Sequence, residues 1–425
     1  MIKKILQRRL ASVARQILKT HKPEIIGVTG SVGKTSAKEA IVTVLSGRFR
    51  LRGSEKNYNN EFGLPLTVIG AGSPGRSASG WLETLSKARS LASDRTFPYP
   101  EMLVLEMGID HPGDMDYLTS IAEPQRAVIT LLGTAHAEFF PSVSELHKEK
   151  LKLADALHEG GIFIYNHEDE RLRSAALDST QPTLGYGFSD KADVSADSVT
   201  VNLNPERSGI AFKLRYEGAS VPAFLSGMIS RTSLLSALAG AAVGFSYGMN
   251  GIEIAERLKE YRLPPGRMNL ISGRDCLIID DTYNSSPEAA LAGLETIAEI
   301  PKDQYGQVWI VLGDMRELGQ ESIKAHERVG RACAQHGFSR LVTVGEEARR
   351  IADGAEAAGM DNDSITVCAD ALEAADFLEK NVNAGDLVFI KGSQAVRLER
   401  IVKRLMNEPE KANELLVRQG GEWAN

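Results

Sequence analysis

The sequence is short of three things, and each shortage narrows the field. Cysteine occurs three times in 425 residues, as Cys276, Cys333 and Cys368, with no Cys-x-x-Cys pair. That argues against a disulfide framework or a zinc ribbon and fits a reducing compartment. No apolar run reaches the ~18 residues that a membrane-spanning helix needs. The basic N-terminus never becomes the continuous apolar core of a secretory signal. Positive charge is in deficit, with 49 Lys and Arg against 56 Asp and Glu. A formal charge of −7 speaks against a general affinity for nucleic acid. A cytoplasmic protein, monomeric and without nucleic acid as partner, is the expectation. The length suggests two or three domains, each able to bury a core.

What is present is organised around residues 25–36, IIGVTGSVGKTS. Ile25 and Ile26 belong to a short apolar run that reads as a buried strand. Gly30, Ser31, Gly33, Lys34 and Thr35 follow, and a helical pattern opens at Ser36. A glycine-rich turn between strand and helix lets backbone N–H groups face a phosphate, and the helix N-terminus adds partial positive charge. In such a loop Lys34 reaches the terminal phosphates and the Thr35 hydroxyl sits on Mg²⁺. The stretch departs from the usual G-x-x-x-x-G-K-S/T pattern, because Val28 stands where the first glycine belongs and Gly27 lies one residue early. A chance glycine-rich turn is the bland alternative. Strand, glycines, Lys-Thr and helix arriving in order favour the phosphate cradle.

Residues 2–19 have helical spacing, with Ile2, Ile5, Leu6, Leu10, Val13, Ile17 and Leu18 on one side and six cations over much of the rest. Two readings stand: weak contact with a membrane surface, or a helix docked on the first domain with its cations in water. Docking is favoured. Asn57, Asn59 and Asn60 mark a structured loop that suits a polar ligand, although Asn is also an ordinary turn residue. MLVLEMG, 102–108, is an apolar run with Glu106 near its end. A carboxylate there faces either the ligand crevice of an α/β sheet or simply a strand end. His136 follows a similar strand; Lys148, Lys150 and Lys152 ride on the next helix; Asn166 ends another strand. None of these identifies a role by position alone.

Residues 183–225 alternate apolar and polar in short segments, which predicts a small antiparallel patch. Residues 232–260 read as helical, and 262–271 have the composition of a linker. Strand–helix alternation then restarts and predicts a second, parallel sheet. Several of its strands end in polar residues: Asp280 and Asp281, Asp314, and Lys391 with Ser393. Such ends line one edge, where α/β sheets bind ligands. The expected architecture is α/β. A P-loop NTPase-like central domain (23–263), with a parallel sheet plus the antiparallel patch, follows the N-terminal helix (1–22), and a Rossmann-like α/β domain (264–425) follows it.

TGSVGKTS, NYNNEFGLPLT, EMGIDHPGDMDYLTSIAEP, ITLLGTAHAEFF, DDTYNSSP, VLGDMRELG and KGSQAVRLE together resemble the Mur ligases, the ATP-dependent amide-forming family of peptidoglycan synthesis. EMG-x-x-x-PG, DDxYNxxP and LGDMxELG are most similar to its D-alanyl-D-alanine-adding branch. The resemblance implies ATP and Mg²⁺ as cofactors, and a UDP-MurNAc-peptide and D-Ala-D-Ala as substrates. It places Gly30, Ser31, Gly33, Lys34, Thr35 and Ser36 on the ATP phosphates. It assigns the metal sites to Thr35, Glu106, His136 and Lys150, with Lys150 carbamylated in preference to Lys148. Lys34, His136 and Lys150 would serve catalysis. Asn166, Arg267 and Asp281 would reach the nucleotide. Asn57, Asn59, Asn60, Asn284, Asp314, Lys391 and Ser393 would meet substrate. The implied reaction makes an acyl phosphate that the dipeptide amine attacks, aided by domain closure.

Two features depart from the family pattern. The family sets a UDP-sugar-binding domain ahead of the P-loop, whereas here that strand begins near residue 24. The nucleotide sugar would then be held by the N-terminal helix and central domain, or the substrate is another carboxylate. Ser233 and Ser236 also stand where the family has asparagines. The alternatives to the implied activity are therefore a related ligase for a different carboxylate, or a non-catalytic ATP-binding relative.

Overall fold

The computed structural model describes residues 2–54, 58–204, 207–301 and 304–420. The run EIIGVT forms β1 (Glu24–Thr29), buried from Ile25 onward. It is flanked by parallel neighbours on both sides, the arrangement in which strands read as continuous apolar runs. The other strands of this sheet are β2 (Leu51–Gly53), β3 (Met102–Glu106), β4 (Arg126–Ile129), β5 (Ile162–Asn166), β6 (Thr183–Gly187), β7 (Val194–Asn202), β8 (Gly209–Tyr216) and β9 (Ala219–Ser226). Their order is β2-β3-β1-β4-β5-β6-β7-β8-β9. Val28 pairs with Glu106 on one side and Val128 on the other, so the ends of β1 and β3 are level.

The patch expected over 183–225 does not stand apart; it extends this sheet. β6 and β7 pair in parallel at Tyr186↔Val194 and Gly187↔Ser195. β8 and β9 are joined by Glu217 and Gly218, both at positive φ (47° and 78°), a two-residue hairpin that makes the pair antiparallel. Alternation in β8 is clean: Ile210, Phe212 and Leu214 are buried, while Ala211, Lys213 and Arg215 are exposed.

Helix α1 (Ile2–His21) packs on α3 (Gly63–Ile69) and α4 (Ala78–Ser93); α2 (Lys34–Leu45) follows the P-loop. Leu10, Ala14 and Ile17 are fully buried, so the apolar face of α1 belongs to the core. Lys4, Arg8, Arg9, Arg15 and Lys19 remain on its exposed side. The remaining helices of this part that bear on the site are α5 (Asp114–Ile121) and α6 (Val143–Asp155). Among the described residues no helix is long and apolar enough to cross a membrane.

The second sheet comprises β10 (Asn269–Ser272), β11 (Leu277–Asp281), β12 (Val308–Gly313), β13 (Arg340–Val344), β14 (Ile365–Cys368) and β15 (Leu387–Lys391), in the order β10-β11-β15-β12-β13-β14. All its pairs are parallel except β10 with β11. β10 corrects the expectation of a linker through residue 271: Leu270 and Ile271 pair with Ile279 and Ile278, and Ile271 is buried. Alternate residues feed two cores. Ile279, Ile310, Leu312, Leu341 and Phe389 face one, and Ile278, Trp309, Val311, Val342, Val388 and Ile390 face the other.

The chain divides into two units, and not by a single cut. One contains residues up to Thr200 with Ala211–Leu225 and Leu234–Arg262; the other contains Val201–Ile210, Ser226–Ser233 and everything from Leu263. Leu203 and Ile229 accordingly belong to the core built around β11, β12 and β15.

Candidate functional site

The loop between β1 and α2 requires its glycines. Gly30 has φ 142°, and a Cβ there would stand 2.1 Å from Thr130 Oγ1 and 3.0 Å from the Leu131 amide nitrogen. Gly33 has φ 86° and leads directly into α2, whose N-terminus has no side-chain cap. A helix N-terminus of this kind carries the partial positive charge that suits a phosphate. Val28 departs from the usual pattern because it is still strand, paired with Glu106; the turn itself begins at Gly30. Ser31 is tied to the following strand's loop, its amide donating to Leu131 O (2.7 Å) and its Oγ accepting from the Gly133 amide (2.8 Å). Lys34 Nζ donates to Gly30 O at 2.8 Å. Ser36 is buried, and its carbonyl accepts from Tyr261 Oη.

Glu106, at the end of β3, is 3% exposed. Its carboxylate accepts from Thr35 Oγ1 (2.9 Å) and Asn59 Nδ2 (3.2 Å), while its amide donates to Ser54 Oγ (3.1 Å). Among the described residues it has no ion pair. A buried carboxylate with only neutral donors is costly, and a cation at its oxygens removes that cost. Gly108 makes room for Asn59: a Cβ there would lie 2.9 Å from Asn59 Nδ2. Asn60 is a turn residue, its Oδ1 accepting from the Phe62 and Gly63 amides. Asn57 lies outside the described residues.

His136 sits at φ 70°, and its Nδ1 is 3.5 Å from Asp110 Oδ1. Lys150 is 1% exposed, whereas Lys148 is in solvent beside Glu145. Burial, then the nearby charge of Lys34, push the Lys150 amine down to about 7, against the opposing pull of Asp110 and Glu149. Glu149 is occupied structurally, accepting from the Gly113 and Met115 amides at the start of α5. Asp110 is the residue that sequence reasoning missed; its only signal was a place four residues after Glu106 in EMGID. Asn166 is buried at the end of β5, where its Oδ1 accepts from the Glu168 amide.

In the second unit the polar strand ends do come together, since β11, β15 and β12 are neighbours. Lys391 Nζ donates to Asp281 Oδ2 (2.6 Å) and Asn284 O (3.0 Å). Ser393 Oγ accepts from the Arg316 amide, and the Ser393 amide donates to Asp314 O. Asp314 is spent on structure, taking the Ala348 amide (2.8 Å) and Arg316 Nη2 (2.8 Å). Asn284 Oδ1 accepts from the Ser285 amide. The Arg267 guanidinium lies 4.1 Å above the Tyr283 ring, a cation–π contact.

No cluster of three His, Cys, Asp or Glu side chains forms a ready metal cage among the described residues.

Two family models match the chain: the Mur ligase middle domain over residues 82–244, and the Mur ligase glutamate ligase domain over 266–394. The UDP-N-acetylmuramoyl-tripeptide–D-alanyl-D-alanine ligase of Bacillus subtilis is 28% identical over 94% of this chain and 79% of its own length. The enzyme of that name from Mycobacterium leprae is 30% identical over 90% of this chain and 74% of its own. Among solved structures, the MurF ligase of Thermotoga maritima in complex with ADP superimposes with a TM-score of 0.78 at 28% identity. The match covers 95% of this chain and 84% of that one.

Proposed function

The chain belongs to the Mur ligase family, and from that premise we propose that it joins D-alanyl-D-alanine to the carboxylate of a UDP-N-acetylmuramoyl-tripeptide at the expense of ATP. The relatives carry that activity in their names, which favours this substrate over another carboxylate. The observation that carries the reading is the buried Glu106, held by Asn59 and by Thr35, the residue that follows Lys34 of the glycine loop.

The assignments follow from the chemistry of each group. Lys34 and the Gly33–Thr35 turn at the start of α2 bind the nucleotide phosphates. Thr35 and Glu106 would hold Mg²⁺, with His136 and Lys150 serving a second ion; Asp110, 3.5 Å from His136 Nδ1, would orient that ring. When bound, Mg²⁺ neutralises the charge of the phosphoryl group being transferred. Lys150 fits a carbamate, because an amine near 7 is substantially neutral at physiological pH and can add CO₂ with loss of a proton. The product is an anionic oxygen donor, the ligand type Mg²⁺ prefers. Asn166, Arg267 and Asp281 are assigned to the nucleotide, and Asn284 to the incoming dipeptide. The loop's rigid amides keep the phosphates oriented for attack by the carboxylate, and exclusion of water protects the acyl phosphate.

The test is incubation with ATP, Mg²⁺, the UDP-linked tripeptide and D-Ala-D-Ala, with mass detection of the amide. Phosphate release that requires the tripeptide but ignores D-Ala-D-Ala would sink the specific assignment. Lys34→Ala should lose at least about a hundredfold in turnover, in line with removal of a preorganised transition-state donor.

A further inference from the structure

The stretch 409–420 is used by none of the chemistry above, yet it is firmly tied. Ala412 and Leu416 are buried in the core beside β11 and β15. Val417 lies 3.1 Å from where a Cβ on Gly266 would stand. Gln419 Oε1 accepts from Lys403 Nζ at 3.2 Å. Between them Arg418 adopts φ 56°, a left-handed conformation that a non-glycine residue holds only when its surroundings demand it.

What demands it is the loop 281–285. The Arg418 side chain is 6% exposed. Its guanidinium donates to Thr282 O from both terminal nitrogens (3.1 and 3.0 Å), to Tyr283 O, and to Glu399 Oε2 (2.9 Å). Glu399 is wholly buried and also pairs with Arg397. Lys391 meanwhile holds the two ends of the same loop, through Asp281 and the Asn284 carbonyl. Lys391 thus fixes the ends and Arg418 fixes the middle. The Tyr283 amide donates to Gly266 O, so the loop is also joined to the turn that carries Arg267. A rigid planar fork with five donors reaches two carbonyls and a carboxylate lying around its edge, a spread that the compact ammonium of Lys does not match.

We propose that the C-terminal segment is a strap and Arg418 a positioning residue, shaping the DTYNS loop so that Asp281 and Asn284 are presented to substrate. This rests on the assignment of Asn284 to the acceptor amine.

The experiment compares full-length wild type, Arg418→Ala and Arg418→Lys. In Arg418→Ala, KM for D-Ala-D-Ala rises about tenfold or more while KM for the UDP-linked tripeptide changes little, as loss of one buried charged donor set predicts. Arg418→Lys falls between, because it keeps the Glu399 pair and loses the fork. Guanidinium added to the assay restores part of the Arg418→Ala defect, which a generally damaged fold would not allow. Backbone amide exchange over 281–285, read without substrates, quickens at least about tenfold in Arg418→Ala. A wild type inactive toward D-Ala-D-Ala overturns the functional reading, while the exchange measurement still decides the strap. Unchanged exchange and an unchanged KM for the dipeptide overturn the strap. So does a uniform rise in every KM with a lowered Tm and no rescue.

Discussion

Glu106 and Asp280 are both buried carboxylates at strand ends, and they carry different consequences. Glu106 is met by a hydroxyl and an amide, so Glu106→Gln removes the charge and leaves the hydrogen-bonding shape nearly intact. The variant should fold, and its half-maximal Mg²⁺ for ADP release should rise about tenfold or more. Asp280 is fully buried, with Oδ1 taking the Thr282 amide and hydroxyl and Oδ2 without a partner. Burial raises its pKa to about 7. In the unfolded chain it ionises near 3.9, so its contribution is whole below that value and is lost as pH rises toward 7. Asp280→Asn does not titrate. Its Tm relative to wild type should therefore climb between pH 5 and pH 8, and a flat difference would refute the argument. Lys34 and Thr35 stood out in the sequence because strand, loop and helix arrive in order around them, whereas Glu106 was left between a ligand crevice and a plain strand end. Asp110 did not stand out, since one Asp before a Pro-Gly turn looks like any turn residue. Arg418 left no signal at all, because two of its partners are carbonyls some 135 residues away and the third, Glu399, lies 19 residues back with no spacing that marks the pair.

At the scale of elements, burial explains what periodicity could and could not say. Helix α1 was readable from its spacing, and its fully buried Leu10 makes a measurable claim. Leu10→Ala should cost about 2–5 kcal/mol in chemical denaturation, while Ile5→Ala, at a half-exposed position, should cost little. The P-loop makes a steric one. Gly30→Ala drives a Cβ into Thr130 Oγ1, so ATP binding by calorimetry should be lost with the rest of the fold retained. β10 escaped notice because Arg-Met-Asn precedes only two apolar residues, and its pairing with β11 is supplied by tertiary context. The hairpin strands were visible as alternation, but the pairing of β7 with β6 that joins them to the parallel sheet depends on a register that no local pattern encodes.

For the whole molecule, strand order and the division into units were the least legible. β15, the last strand of the chain, lies between β11 and β12 in its sheet. Nothing local specifies that insertion. Nor does composition reveal that Ile229, amid residues of the first sheet's part of the chain, packs with Phe389 in the other unit's core. Ile229→Ala should therefore weaken the second unit by about 2–5 kcal/mol. Amide exchange should quicken in β12 and β15 but not in β1 and β4; the opposite pattern would refute the assignment. The same interleaving sets an order of events on the ribosome. Leu203 and Ile229 emerge long before Phe389 is synthesised, a wait on the order of ten seconds at roughly 5–20 residues per second. Through that interval the two apolar side chains have been synthesised while the core they belong to is not yet complete.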